Sequence, residues 1–300
     1  MQKSPLVAWV LLLMLAFIWG SSFILIKKGL LGLAPEEVGS LRIVAAWLFM
    51  LPFAIKRIPE VEKSKLVYLV SAGFLGSLIP AFLFAIAQTQ LESAITGVLN
   101  GLVPIFTILI AWVILGQKQT RKVYVGVVIG FVGTTILITA GKGGLVSGIN
   151  VYALLVVLAT ICYASNLNLI KQKLNDLHAV TVTSVSLLFV GPIAAVYLFG
   201  FTNFWSKLIS GNETSLATFY ICLLGVLGTA IALIIFNKIL QMKDALFASS
   251  VTYIIPIFAV MWGVIDGEEL FLLHYVGMIA VGLGVYTANT GRHKNAGSKK

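Results

Sequence analysis

Five apolar, span-length segments between residues 6 and 140 recur in the same order between residues 149 and 290. An odd number of membrane crossings delivers the chain to the opposite face, so the second set begins where the first did not and lies upside down relative to it. This repeat limits the fold more than any other feature. It predicts an all-α integral membrane protein, with ten transmembrane helices arranged as two inverted five-helix repeats around a central cavity. The expected spans are residues 6–28, 36–55, 66–88, 93–115, 122–140, 149–170, 179–200, 216–238, 244–265 and 272–290. A helix needs about 20 residues to cross some 30 Å of hydrocarbon, and each segment is near that length. Residues 291–300 are left as a basic tail.

The two halves align in register. Pro104 falls on Pro256 at an offset of 152, within Val103-Pro104-Ile105-Phe106 and Ile255-Pro256-Ile257-Phe258. Tyr124-Val125-Gly126 meets Tyr275-Val276-Gly277 at offset 151, and Gly133 meets Gly284 at the same offset. Near the start of each half, Ser21-Ser22 falls on Ser165-Asn166, and Leu25-Ile26-Lys27 falls on Leu169-Ile170-Lys171, both at offset 144. Chance matching of Leu-, Ile- and Gly-rich helices is the alternative. It does not account for Pro, Tyr and Lys recurring in step.

Ten spans leave only short loops, which excludes an ATPase module or an extramembrane catalytic domain. Hydrophobic residues make up 59% of the chain and charged residues 11%, far from the balance of a water-soluble domain. The first segment follows Lys3 but is too long for a signal peptide, so it reads as an uncleaved span. Cys162 and Cys222 lie inside apolar segments and read as small buried hydrophobes.

The net charge of +10 reports topology rather than a nucleic-acid partner. With the N-terminus inside, sixteen basic residues fall on the inner side. Lys27, Lys28, Lys142 and Lys207 fall outside, and Arg42 lies within a span, which accounts for all 21. Positive residues gather on the cytoplasmic side, so both termini are expected there. Inversion also requires equivalent loops to change sign. Lys118, Arg121 and Lys122 follow the fourth segment, whereas Asp266, Glu268 and Glu269 follow the ninth. Lys27 and Lys171 break this pattern, being basic at ends that should lie on opposite faces; like the other lysines at span ends, they read as ordinary flanks.

A proline inside a span leaves the carbonyl four residues earlier without its amide partner. Pro104 frees Asn100 and Pro256 frees Thr252, equivalent positions roughly 15 to 18 Å into their segments. Both prolines are therefore expected helix kinks beside a midplane binding site, or else packing devices whose polar neighbours bond adjacent helices. Trp19, Ser21 and Ser22 on the first helix, and Tyr163 and Asn166 on the sixth, are further candidates for binding substrate. Asn166 is favoured over Asn168, because two residues two apart cannot face one direction and Asn166 aligns with Ser22. Gln88, Asn237 and Tyr253 complete the set; their alternative is an interfacial belt or packing. Arg42 is the one clearly intramembrane charge. Its partner is a substrate carboxylate, a backbone carbonyl, the outer surface reached by snorkelling, or Glu92. Gly97-x3-Gly101, Gly126-x3-Gly130 and Gly263-x3-Gly267 permit close helix approach and are expected to serve packing within the chain.

These residues resemble a known family. Ile18-Trp19-Gly20-Ser21-Ser22-Phe23 with Lys27 looks like the first-helix signature of EamA-type members of the drug/metabolite transporter superfamily. Leu41-Arg42 resembles their second-helix arginine, and Ala94 through Pro104 to Leu115-Gly116-Gln117 resembles their fourth-helix pattern. Gln117 departs from it, where glutamate is usual, while Gly267-Glu268 keeps it in the second half. The resemblance implies helices 5 and 10 packed outside a cavity lined by the others. It also implies export of a small metabolite across a bacterial inner membrane.

The sequence shows no acidic residue mid-span, which lowers the weight of proton antiport. Lys142 lacks Walker spacing, and no metalloprotease or serine-hydrolase motif occurs. The expected partners are a small-molecule substrate and the lipid bilayer. No cofactor, metal or nucleic acid is expected, and the oligomeric state stays open. The function so read is a secondary transporter or facilitator of a small neutral or zwitterionic, amino-acid-like metabolite. A drug exporter, a nucleotide-sugar type exchanger, and a membrane enzyme or anchor subunit remain alternatives.

Overall fold

The computed structural model describes residues 5–113, 116, 120–139, 150–242 and 251–296, and among these there is no β-strand. Each of the ten expected apolar segments is mostly helical over its described residues. The helices are α1 (Pro5–Gly29), α2 (Pro35–Arg57), α3 (Lys63–Gly73), α4 (Ile79–Ala87), α5 (Ser93–Asn100), α6 (Val103–Val113) and α7 (Arg121–Thr139). They continue as α8 (Val151–Lys173), α9 (Ala179–Phe201), the short α10 (Phe204–Ser210), α11 (Asn212–Leu223), α12 (Ala232–Met242), α13 (Val251–Ile265) and α14 (Leu272–Ala296). Seven stretches among the described residues have the length and apolarity to cross a membrane, and Ile254–Ile265 and Leu272–Ala288 are shorter apolar helices. The chain is an integral multi-pass membrane protein. Accordingly, large side chains such as Leu13, Val128, Phe201 and Leu283 stand exposed on the bundle's outside, where lipid rather than water meets them.

Helix starts follow local chemistry. Pro35 occupies the first turn of α2, where a missing amide costs nothing, and Glu37 Oε2 accepts the Ala34 amide at 2.8 Å. The same carboxylate takes Lys207 from α10 at 2.8 Å, so its burial to 1% exposure leaves no unpaired charge.

Glycines set the interhelical seams. α5 and α13 run antiparallel, with Ala94 opposite Gly263, Gly97 opposite Ala259 and Gly101 opposite Pro256. α7 and α14 cross antiparallel on Gly126, Gly130, Gly133, Gly277 and Gly284. A Cβ on Gly133 would stand 2.6 Å from the Val281 amide nitrogen. Of the three expected small-residue spacings, Gly97-x3-Gly101 and Gly126-x3-Gly130 contribute to contacts within the chain, whereas in Gly263-x3-Gly267 only Gly263 does, Gly267 having open space beside it at φ 79°. α1 packs on α13 and on α11 and α12, while α8 packs on α5 and α6 and on α3 and α4. α2 lies against α9.

Three spans are interrupted. The fourth breaks between Asn100 and Val103, where the Gly101 and Leu102 amides reach only three residues back, to Val98 and Leu99. Pro104 therefore sits in the first turn of a new helix rather than at a kink. Pro256, by contrast, lies inside continuous α13. The third and eighth spans carry π-helical turns, Phe74–Leu78 and Leu224–Ile231, marked by five-residue bonds from Ile79 to Phe74 and from Ala232 to Leu227. Pro80 follows the first and lacks the amide that Gly76 would otherwise receive. Gly76-Ser77 and Gly228-Thr229 are equivalent at offset 152, the offset of the two midspan prolines.

Candidate functional site

The polar residues of α1 turn toward different neighbours. Trp19 Nε1 donates to Gly228 O at 3.1 Å, and its ring lies 5.5 Å from that of Phe236. Ser21 Oγ donates to Phe17 O and receives Trp262 Nε1 from α13 at 2.8 Å. Ser22 Oγ donates back to Ile18 O. It also lies where a Cβ on Gly228 would come within 3.1 Å. The sixth span repeats this relation, because a Cβ on Gly76 would run into the Asn166 amide. Equivalent residues, Ser22 and Asn166, thus pack on equivalent glycines inside the two π-helical segments.

Arg42 is turned inward. Its Nε donates to Thr229 Oγ1 of the second π segment at 3.1 Å, and the Tyr163 phenol of α8 stands beside the same guanidinium. No ion pair of Arg42 exists among the described residues, and Glu92 is engaged elsewhere. From Tyr163 an aromatic path continues. Its ring stacks on Phe84 at 5.9 Å, and Phe84 meets Phe23 edge-on at 5.8 Å. Gln88, 6% exposed, donates Nε2 to Phe23 O at 2.8 Å and holds Oε1 without a partner. Residues from the first, second, third, sixth and eighth spans therefore meet around one interior line.

Asn100 Oδ1 and Asn166 Oδ1 are likewise buried without hydrogen-bond partners. Asn100 closes α5 at the break, where the helix ends in carbonyls rather than amides. Asn168 takes the interhelical role, donating Nδ2 to Thr107 O at 3.1 Å and to Ala164 O at 2.9 Å. Thr252 is engaged in an interaction of its own. The side chains of Asn237 and Tyr253 lie outside the described residues. Among the described residues no three His, Cys, Asp or Glu side chains group to hold a metal.

A second polar assembly closes the C-terminal end of α1, and it corrects the reading of Lys27 as an ordinary flank. Lys27 Nζ pairs with Glu268 Oε1 and Asp266 Oδ2, both at 2.9 Å, and with Glu92 at 3.6 Å, while Lys28 pairs with Asp266. Glu268, its side chain fully buried, caps α5 by accepting the Ser93 amide at 2.8 Å, the Ser93 hydroxyl at 2.6 Å and the Ala94 amide at 2.9 Å. Burial pushes its pKa up, but the bonds from Ser93, Ala94 and Lys27 outweigh that and hold it below the ordinary carboxylate range. Burial likewise opposes ionisation of Asp266, and Lys28 and Lys27 overcome it. Glu92 goes the other way, raised first by burial and then by the charge of Glu268.

Sequence reasoning missed Thr229, the two π segments and the Lys27 assembly. Signals existed for each: Gly-Ser and Gly-Thr recur at offset 152, and Glu268 keeps the Gly-Glu that Gln117 lost. Only tertiary crossing tells which residues they face.

A family model described as the EamA-like transporter family matches residues 6–139 and again 150–290. An uncharacterized transporter of Archaeoglobus fulgidus is 24% identical over 282 residues, covering 93% of this chain and 97% of its own. The uncharacterized inner membrane transporter YedA of Escherichia coli K12 is 25% identical over 292 residues, covering 93% and 89%. A solved structure shares the fold at TM-score 0.64 and 15% identity, covering 97% of this chain and 99% of its own. With its model matched twice, over nearly the whole length, this chain belongs to the EamA-like transporter family.

Proposed function

We propose that the protein is a secondary transporter or facilitator that carries a small neutral or zwitterionic, amino-acid-like metabolite outward across a bacterial inner membrane. Its two halves, 6–140 and 149–290, act as inverted repeats that expose a midplane site alternately to either side. The observation that carries this reading is the interior polar line of Arg42, Thr229, Tyr163, Gln88 and Asn166, in which Gln88 Oε1 and Asn166 Oδ1 are buried without partners. The antiparallel crossings between the fourth and ninth segments, α5 on α13, and between the fifth and tenth, α7 on α14, support the inversion. Outward direction and the inner membrane follow the family and the relative from Escherichia coli. The positive-inside count supports cytoplasmic termini.

The test is counterflow of radiolabelled metabolites in proteoliposomes holding the full chain, with Asn100→Ala, Tyr253→Ala and Asn166→Ala alongside. Exchange slows in these variants if they line the site; unchanged exchange in all three removes it. Accessibility labelling of Lys122→Cys and Glu269→Cys tests the inversion. Labelling from opposite faces is expected, and labelling from one face overturns it. A nucleotide-sugar type exchanger would need several cations around its site to hold phosphates, whereas one, Arg42, joins the interior line among the described residues.

A further inference from the structure

We infer that Arg42, Thr229 and Tyr163 form the anion end of the transport site, and that the solute is a small 2-amino or 2-hydroxy carboxylate whose carboxylate binds there. This rests on the transporter reading above. It goes further by giving the solute a carboxylate and setting the way it lies.

A guanidinium held among helices needs either an acid or water, because an unpaired ion inside hydrocarbon is costly. Arg42 sits in the first third of α2, and its side chain reaches inward to α8 and the second π segment instead of outward along the helix. Both of its neighbours, the Thr229 hydroxyl and the Tyr163 phenol, are neutral. The acids one might expect to neutralise it are occupied: Glu92, Asp266 and Glu268 by Lys27, and Glu37 by Lys207. Nε is spent on Thr229, which leaves a planar fork of terminal N–H donors of the kind that grips a carboxylate with two parallel bonds. One cation suits a monocarboxylate. It falls short of a phosphate, which carries up to two charges and three acceptor oxygens.

The opposite end of the solute is set by α8. Asn166 lies three residues beyond Tyr163, hence on the same face and about 4.5 Å further along the axis. Its Oδ1 is buried with no partner, and its amide rests on Gly76, where any side chain would displace it. A buried acceptor that costs free energy while empty is a place for a donor. An ammonium or hydroxyl next to the solute's carboxylate meets that need. The site then holds a solute by its carboxylate at one end and its hydrogen-bond donor at the other.

The test is counterflow in proteoliposomes of the full chain with radiolabelled 2-amino and 2-hydroxy acids and with their matching primary amides. At least one acid is expected to exchange, with its amide at least roughly tenfold slower. Arg42→Gln is expected to raise the KM for that acid roughly 100-fold and Thr229→Val roughly tenfold, with Arg42→Lys intermediate. The comparison of acid with amide needs no variant, so a poorly folding Arg42→Gln leaves the test intact. Equal exchange of acid and amide overturns the inference, as does an unchanged KM in a folded Arg42→Gln. Exchange of amides or other uncharged solutes with no exchange of any acid overturns it while leaving the transporter reading standing. A chain that exchanges nothing overturns both.

Discussion

Pro104 and Pro256 occupy equivalent positions in the two halves, yet one stands in the first turn of a helix after a break and the other sits within a continuous helix. The difference lies in what precedes them. Asn100-Gly101 stands where the second half has Thr252-Tyr253. Relative to alanine, asparagine and glycine cost a helix interior roughly 0.7 and 1 kcal/mol, added to what the proline already removes. Gly101 also faces the Pro256 ring, and in the broken conformation a Cβ there would stand 2.9 Å from the Val98 carbonyl oxygen. A proline thus opens a helix when its neighbours also disfavour it, and is carried through when they do not. The charged ends of the same spans differ in a parallel way. Glu268, after the ninth span, caps α5 and binds Lys27, whereas the fourth span is followed at the equivalent place by neutral Gln117.

Four experiments bear on this contrast. Removing the carboxylate that only one half keeps is expected to matter most: Glu268→Gln leaves Lys27 and the α5 amides short of a partner. It should cost about 3 kcal/mol, read as a lowered thermal midpoint of the purified protein. Gln117→Glu should not produce a loss of that size. The same assembly sets a pH dependence. Glu268 and Asp266 have native pKa values below their unfolded ones, so their stabilisation is complete above the unfolded values and is lost as pH falls through the lowered native ones. A wild-type midpoint that fell in acid no more steeply than that of Glu268→Gln would refute the assignment.

Next in size, Gly133→Ala should cost about 2 kcal/mol by forcing α7 off α14, since the added methyl meets backbone. An unchanged midpoint would mean the seam is looser than described. Third, Pro104→Ala combined with Gly101→Ala should rejoin α5 and α6 and slow counterflow about tenfold, equivalent to 1.4 kcal/mol. Pro256→Ala should slow it less, and equal slowing would erase the distinction between the halves. The smallest effect has the opposite sign. Glu92 has a raised native pKa, so its contribution to stability is complete below the unfolded value and lost as pH rises through the native one. Glu92→Gln should therefore raise the midpoint at neutral pH slightly, by about 0.5 kcal/mol, and a clear drop would contradict it.

Much of the architecture was readable because membrane helices announce themselves by length and apolarity, and because Pro104, Pro256, Gly133 and Gly284 recur in step. The interhelical role of Asn168 was also legible, since residues two apart cannot share a helix face. What stayed hidden needed knowledge of crossings. Lys27 looked like a flank because its three acids come from Glu92, Asp266 and Glu268, distant in sequence. Of the two threonines, the repeat pointed to Thr252 through Pro256, and Thr229 emerged only when α2 was seen to lie against the eighth span. The π segments leave no mark in hydropathy, for one added residue in a turn changes no composition.

Gly282 and Gly284 illustrate how differently two neighbours of one kind can be constrained. Nothing lies within 4 Å of a Cβ on Gly282, while one on Gly284 would stand 2.7 Å from the Gly126 carbonyl oxygen. Over generations the first site is free to drift toward any lipid-soluble residue, as are the exposed Val128, Val132 and Leu283. The second, with Gly126 and Gly133, can accept no codon but its own without prising two backbones apart. Mutational tolerance along α7 and α14 should therefore run in stripes, a frozen edge beside a wandering one.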